Sequence, residues 1–578
     1  MNAFWLKWRL TLGLLVGGAL HALSFAPDPL PQWALSPLQL CTMAWLVTAV
    51  WRAPSGLYAA RRAWIFALAY FVVGLYWLTI SMHVYGYMPL PLAIAALIAL
   101  SAYLALFASL AAWLVHKVKA LPSHAAAHST HGSTAVATTA TTTATATTST
   151  RSTTSPASTV IIAALAWASA WTLAEWLRAT LLTGFPWLNT GYAHVDSAFV
   201  GWASILGLYG VTFATAFTAA AIAALVGIRY PAGTTTVSTD PTNPPTQTKR
   251  ALVGVIALAI ALVGWGLSQI SWSTPTGTPL VVRLVQGNID QGIKFTPDRL
   301  YSVIQEHLRL ADTPVPPGSP QPQVVLLPET AMAVFQHQIA PAAWQAWVDI
   351  AKRQNSTILM GAALFDQRTG TYTNSVIGLN GTTTAQQLFQ GTVTQRYDKH
   401  HLVPFGEFVP LGFRWFVDLM SIPLGDFTRG STTQQPFAID GQYLAPNICY
   451  EDVFGEELLP AVRGGSQTKP DGATILANFS NLAWFGDSWA LRQHWQMSRM
   501  RAIEVSRPML RATNTGATGL IDHRGRDVAQ LPPNRLGVLD TTVQGQKGLT
   551  PYTLTGNGLI LGFAILLLIG IGLRGRRR

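Results

Sequence analysis

Three residues in the second half of the chain have side chains that together could carry out covalent acyl chemistry. Cys449 closes the run Tyr443-Leu-Ala-Pro-Asn-Ile-Cys and is followed at once by Tyr450, Glu451 and Asp452. A thiol at the end of a buried strand can project into a site on the sheet edge. As a nucleophile it needs a base to take its proton and a cation to hold the thiolate. A buried structural cysteine is the common alternative. Against that stands location, since a lone thiol in an oxidising compartment is a liability unless it has a use; the chain's 2 cysteines, the other being Cys41 in a segment of very different character, are too few for a disulfide scaffold. Glu329 ends the hydrophobic run Val324-Val-Leu-Leu-Pro-Glu, where partial burial raises a carboxyl toward the range of a general base; a helix cap or solvated turn glutamate is the other reading. Lys399, in Arg396-Tyr-Asp-Lys-His-His-Leu-Val-Pro-Phe-Gly-Glu, is either a surface lysine or an ammonium that stabilises both a thiolate and the oxyanion formed when a carbonyl is attacked. His400 and His401 offer a competing base for a Cys-His pair.

Positioning these groups requires a folded layer structure, and residues 275–550 alternate strand-like with helix-like runs. Strands are expected over Pro279–Ile289, Gln323–Pro328, Ser356–Phe365, Tyr372–Leu379, Tyr443–Ile448 and Ala473–Asn478, and helices over Asp298–Leu310, Ala340–Arg353 and Ser488–Val505. The pattern predicts a layered α/β domain. It lacks G-x-G-x-x-G after its first strand and G-x-x-x-x-G-K-S/T, so no motif supports nucleotide-phosphate binding.

The rest of the chain is apolar. Charged residues are 11% of 578, against a usual value of about 25%, and mean hydropathy is +0.30. This excludes a disordered chain and argues against an ordinary soluble one. Eight charge-poor windows approach the roughly 20 residues of a membrane span: 10–27, 33–51, 63–82, 89–115, 160–176, 197–228, 251–272 and 552–573. The first also has the form of a signal sequence and is read as a retained span. The net charge of +12 suits nucleic acid or basic membrane anchors, and its distribution favours the membrane. With the amino terminus inside, Lys7/Arg9, Arg52/Arg61/Arg62, Lys117/Lys119/Arg151, Arg229/Lys249/Arg250 and the Arg574–Arg578 tail share one side, with Arg178 the exception. The expected organisation is a transmembrane domain of seven helices over 1–274, an extracytoplasmic catalytic domain over 275–550, and a final helix and basic tail over 551–578. Residues 120–159 and 231–248, rich in Ala/Thr/Ser and Thr/Pro, read as cytoplasmic linkers. His124, His128 and His131 in the first linker lack a nearby carboxylate or cysteine and are not read as a metal site.

The segments L-P-E-T, Y-D-K-H-H-L-V-P-F-G-E and N-I-C-Y-E-D, in that order, resemble the Glu-Lys-Cys signature of the nitrilase superfamily. Together with the spans, the chain resembles the membrane-integrated apolipoprotein N-acyltransferase family. Further matching runs are E-W-L-R-A-T-L-L-T-G-F-P-W-L-N from Glu175, L-V-Q-G-N-I from Leu284, A-W-F-G-D-S from Ala483 and M-R-A-I-E-V-S-R-P-M-L-R-A-T-N-T-G from Met500. The resemblance implies a nitrilase-like αββα sandwich joined to about eight transmembrane helices. It assigns Cys449 as nucleophile, Glu329 as general base and Lys399 as oxyanion-stabilising cation, with Glu407, Tyr450 and Glu451 in support. It implies no cofactor, no metal and no nucleic acid. The implied partners are a phospholipid acyl donor, an apolipoprotein acceptor bearing a diacylglyceryl-cysteine, and the bilayer of a bacterial inner membrane, with the catalytic domain on the periplasmic side. Phe295 stands where the family often has tryptophan, and Leu482 where aspartate is usual. Phe295, with Phe413 and Trp415 of the apolar run Leu411–Leu424, is expected to contact lipid or acceptor, and Gly184-Phe-Pro-Trp-Leu to line the entrance. A membrane-tethered amidase using the same triad with water, and a transporter with an external binding domain, are the competing readings. Few ionisable residues in the spans, chiefly His21 and Glu175, argue against the transporter.

Overall fold

In the computed structural model of the chain, residues 2–25, 28, 30–118, 156–227, 247–294, 297–414, 426–464 and 472–576 are described. The first half folds into long helices α1 (Asn2–Leu23), α2 (Gln32–Trp51), α3 (Gly56–Gly74), α4 (Leu90–Lys117), α5 (Pro156–Thr180), α6 (Trp202–Gly227) and α7 (Gln247–Gln269). Among the described residues six helices are long and apolar enough to cross a membrane. They are α2, α3, α4, α6, the Val160–Thr183 stretch that extends α5, and the Ala251–Gln269 part of α7. The apolar stretches Trp8–Leu23 and Gly558–Arg574 are shorter. Side-chain placement follows the membrane rule of small residues inward and large apolar ones outward. On α4, Ala93, Ala105, Ala108 and Ala112 are buried while Leu92, Ile94, Ile98, Leu106 and Leu110 face out.

Several apolar windows of the sequence are not single helices. The 63–82 window breaks at Gly74, where an added Cβ would meet a Leu188 methyl at 2.5 Å; a short helix, Leu78–Ile80, and a π turn, Ser81–Tyr85, follow. Helix α6 begins at Trp202 rather than Ser197 and kinks at Gly207 (φ +69), against the ring of Tyr552. The last window opens with a separate helix, Pro551–Thr555, and breaks at Gly556. Helices α5 and α7 start at Pro156 and Gln247, inside the stretches read as linkers. The rest of those stretches, with His124, His128 and His131, lies outside the described residues.

The second half is a sandwich of two sheets. Its strands are β1 (Leu280–Gln286), β2 (Val324–Leu326), β3 (Met332–Phe335), β4 (Thr357–Asp366), β5 (Thr371–Leu379), β6 (Gln395–Asp398), β7 (Phe437–Ile439), β8 (Gln442–Ile448), β9 (Ile475–Ser480), β10 (Met509–Thr513), β11 (Gly519–Ile521), β12 (Asp527–Gln530) and β13 (Gly537–Val543). One sheet runs β13-β1-β2-β4-β5-β6, with β3 paired to β4; the other runs β12-β11-β10-β9-β8-β7. The central strands β1, β2 and β4, and likewise β8, β9 and β10, pair in parallel, and their near-continuous hydrophobic runs fit burial on both faces. Leu280, Val282, Leu284, Val324 and Leu326 of one sheet meet Ile448, Ile475, Ala477, Phe479 and Leu510 of the other in a shared core.

Helices α8 (Leu300–Ala311) and α9 (Pro341–Gln354) cover the outer face of the first sheet. Helix α10 (Trp489–Val505) and the helix Gly455–Arg463 cover the second. The chain ends in α11 (Gly558–Arg576). The αββα arrangement and the six expected strands agree with the sequence reading.

Helix α10 joins the two halves. Nearly all its residues are buried, because one side packs on the second sheet and the other on the helical bundle; Met497, Met500 and Ile503 belong to the bundle's core. Polar contacts fix the pairing: Trp77 and Trp187 indole N–H groups donate to Gln493 Oε1 at 3.0 and 2.8 Å, Arg499 pairs with Asp196, and Glu504 Oε1 accepts the Leu208 N–H at 2.6 Å. A Gln493→Leu substitution leaves the Trp187 N–H buried and unpaired, a loss of about 1–3 kcal/mol. It is expected to lower the unfolding temperature in detergent and to speed proteolysis between the two halves; an unchanged melt would show that this contact does not hold the interface.

Candidate active site

The site forms at the carboxyl ends of strands from both sheets. Beyond β2, Leu327-Pro328 leads to Glu329; β6 delivers Lys399, β8 delivers Cys449 and β9 delivers Asn481. The turn after β2 is tightly constrained. Thr330 has φ +51, and a Cβ on Gly361 would lie 2.6 Å from the Glu329 Cα, so only glycine lets β4 approach the backbone that presents this carboxylate.

Lys399, Glu329 and Glu407 form one buried cluster. Lys399 Nζ lies 2.9 Å from both Glu407 oxygens and 3.4 Å from Glu329 Oε1, and it is 1% exposed. Asn374 Nδ2 on β5 donates to both carboxylates, at 2.8 Å to Glu329 and 2.7 Å to Glu407. The second Glu329 oxygen accepts the Asn481 N–H at 2.9 Å, and Glu407 Oε2 accepts that of Val403 at 2.8 Å. Burial opposes the charge on Lys399, but Glu407 and then Glu329 outweigh it and hold the ammonium well above the ordinary lysine range.

Cys449 follows β8 with φ +52, and its thiol interacts electrostatically with Glu329, Lys399 and Glu407 and faces the Asn481 N–H. Burial, then Glu329, push the thiol far above the ordinary cysteine range against the pull of Lys399. The resting group is therefore a neutral thiol. The cluster of two carboxylates and one ammonium already carries one excess negative charge, and a thiolate would add a second. Moving the thiol proton to Glu329 would leave that total unchanged.

Glu451 ties the Cys449 turn to the segment that bears Lys399. Its oxygens accept from the backbone N–H of Ile448 (2.6 Å), His400 (2.7 Å) and His401 (3.1 Å) and from the Tyr397 hydroxyl (2.9 Å). Both histidines turn to carboxylates and not to the thiol: His400 lies 2.9 Å from Glu451 and from Glu457, and His401 lies 2.8 Å from Glu457. Burial works against the His400 charge, but the hydrogen bonds its ring donates to Glu451 and Glu457 raise the imidazole to about 10. With ring nitrogens of both histidines directed at Glu451 and Glu457, the geometry counts against a Cys-His pair. Tyr450 donates to the Gly184 carbonyl at 3.1 Å and stacks beside Trp187. Arg178 holds that loop by donating to the Phe185 and Trp187 carbonyls and to Asn189, so the charge out of place in the topology is a buried loop anchor.

Asn374, Asn481 and Lys294 were not singled out from the sequence. Lys294 is fully buried, with Nζ 3.3 Å from the Glu329 carbonyl and 2.9 Å from Thr330 Oγ1. Burial lowers it to about 7, opposed by Glu329. A polar residue at a buried strand position, as in Thr373-Asn-Ser, was the only available signal for Asn374. Phe295 and Trp415 lie outside the described residues. Phe413 is half-exposed and packs edge-on against Phe405, two residues before Glu407. Leu482 is buried, so an apolar contact stands where a polar one was in question. Among the described residues no group of His, Cys, Asp and Glu could hold a metal.

Residues 281–551 match the carbon-nitrogen hydrolase family, and residues 17–221 match the apolipoprotein N-acyltransferase N-terminal domain. The fold and site thus define a nitrilase-like hydrolase domain carried on a helical membrane domain. The chain is 48% identical to the apolipoprotein N-acyltransferase of Bordetella bronchiseptica, over 99% of this chain and 98% of that one. It is 40% identical to that of Ralstonia nicotianae, over 99% and 94%. A variant of the Nesterenkonia AN1 amidase from the nitrilase superfamily aligns at 16% identity and a TM-score of 0.33, over 47% of this chain and 92% of that chain. The chain belongs to the apolipoprotein N-acyltransferase family and is an acyltransferase.

The state of the thiol is open to measurement. In a Cys41→Ala background, alkylation of Cys449 by iodoacetamide is expected to be slow at pH 7 and to keep accelerating past the ordinary cysteine value of about 8.5. A plateau reached below pH 8 would mean a preformed thiolate.

Proposed function

We propose that this enzyme transfers an acyl chain from a phospholipid to the α-amino group of the diacylglyceryl-cysteine of apolipoproteins, by way of a thioester on Cys449. Glu329 takes the Cys449 proton as sulfur attacks the ester carbonyl, and Lys399 stabilises the tetrahedral oxyanion. Collapse breaks the ester C–O bond, Glu329 returns the proton to the departing oxygen, and a lysophospholipid leaves. The acceptor amine then attacks the thioester, gives its proton to Glu329, and the thiol is restored as the amide forms. Glu407 holds Lys399, while Glu451 and Tyr450 hold the nucleophile turn. The observation that carries this reading is the buried Lys399 ammonium bridging two carboxylates beside the Cys449 thiol.

The proposed organisation is a transmembrane domain over 1–274, a catalytic domain over 275–550 on the periplasmic side of the bacterial inner membrane, and a final helix and basic tail over 551–578. One-sided Lys and Arg in the connecting segments support this orientation. Both substrates are then membrane lipids delivered by lateral diffusion, with the apolar run from Leu411 and the side chains of Phe295, Phe413 and Trp415 in contact with lipid or acceptor.

Intact-mass spectrometry of the full chain after exposure to phospholipid vesicles tests the scheme. One acyl mass is expected on Cys449, discharged by a lipopeptide amine and persistent without it. Cys449→Ser is expected to remain in the membrane with no adduct and no transfer. Full transfer by that variant would exclude the covalent path, and discharge by water alone would make the protein an amidase-type hydrolase.

A further inference from the structure

Behind the Cys449 turn lies a second set of polar side chains that the acyl-transfer scheme leaves unused. Asp452, His494, Ser498 and Arg511 come from the nucleophile turn, α10 and β10, and all four are buried. His494 Nε2 lies 2.6 Å from Asp452 Oδ1, Arg511 Nη1 3.0 Å from Asp452 Oδ2, and Arg511 Nη2 3.0 Å from His494 Nδ1. Ser498 donates to Asp452 and accepts from Arg511. A guanidinium has donors only, so His494 Nδ1 accepts and the ring proton sits on Nε2, directed at Asp452.

Asp452 lies three residues after Cys449 in the same turn, Cys449–Val453, and the Cys449 carbonyl of that turn accepts from Asn478 Nδ2 at 3.3 Å. Cys449 is a non-glycine residue in the left-handed region, a conformation that costs about 1–3 kcal/mol and persists only where its surroundings over-determine it. From the helical bundle, Trp187 stacks on His494 with ring centroids 5.5 Å apart and planes 21° from parallel. The imidazole is therefore clamped between the acyl-transfer domain and the membrane domain.

We propose that His494 is a positioning residue for acyl transfer: braced by Arg511 and Trp187, it holds Asp452 and with it the left-handed Cys449 turn, so that the sulfur stays aligned with Glu329 and Lys399. The inference rests on the reading of Cys449 as the nucleophile. It adds a cross-domain brace, since displacing the Gly184–Asn189 loop would release one face of the imidazole.

The test is single-turnover acyl-enzyme formation by the full chain in phospholipid vesicles. His494→Leu can neither donate to Asp452 nor accept from Arg511; it is expected to lower the rate constant about 100-fold with the half-saturating phospholipid concentration unchanged. His494→Gln keeps both roles and is expected to restore most of the rate. A leucine variant that acylates at the parent rate, or leucine and glutamine variants that lose activity equally, would overturn the proposal. Should His494→Leu fail to accumulate in membranes, His494→Asn takes its place, being too short to span Asp452 and Arg511 together. A parent-like His494→Leu beside an inactive Cys449→Ser rejects the positioning role alone, whereas transfer by Cys449→Ser rejects the nucleophile reading beneath it.

Discussion

The site depends on one ion that is expensive to bury. The Lys399 ammonium is sealed from solvent, and its desolvation is tolerable only because Glu329 and Glu407 both face it. The dependence is mutual, since two carboxylates this close repel each other unless a cation and the Asn374 amide stand between them. Removing one partner of such a set typically costs about 3–5 kcal/mol. Lysine has four carbons of reach and a compact charge, which suits it to end between two carboxylates delivered from different loops.

That constraint explains how the thiol is used. Two carboxylates set against the Lys399 ammonium disfavour a further negative charge on the sulfur, which suits transfer of the thiol proton to a carboxyl in the same event as attack. The backbone carries the rest of the burden. Glycine at 361 lets Glu329 approach β4, the left-handed turn at Cys449 aims the sulfur, and Glu451 ties that turn to the segment bearing Lys399. The αββα sandwich brings the carboxyl ends of strands from two sheets to one point, and α10 locks it to the helical bundle through buried polar contacts. Tyr450, next to Cys449, donates to a carbonyl of the helical half, so the two halves share a contact one residue from the sulfur.

Much of this was legible in the sequence. Glu329 and Cys449 follow expected strands, and the family resemblance joined them to Lys399, whose own strand β6 was not among those expected; the parallel core strands announce themselves as continuous hydrophobic runs. Helix ends were less legible. Hydropathy windows register apolar length and miss the breaks at Gly74, Gly207 and Gly556, where a ring or methyl from a distant segment occupies the space of a side chain. His400 was ambiguous because an imidazole beside a nucleophile reads as a base until Glu451 and Glu457, 51 and 57 residues away, are seen to hold its proton. Asn374, Lys294 and His494 escaped notice for a related reason: their roles come from partners far along the chain, and nothing local distinguishes them from ordinary strand or helix residues.

The central claim, that the Lys399 ammonium holds the two carboxylates together and stabilises the oxyanion, is tested most directly by the single-turnover rate of acyl-enzyme formation in Lys399→Met at fixed pH. Without the ammonium, Glu329 and Glu407 face each other uncompensated. Acyl-enzyme formation is expected to be lost while the protein remains in the membrane. Acylation at the parent rate would contradict the claim.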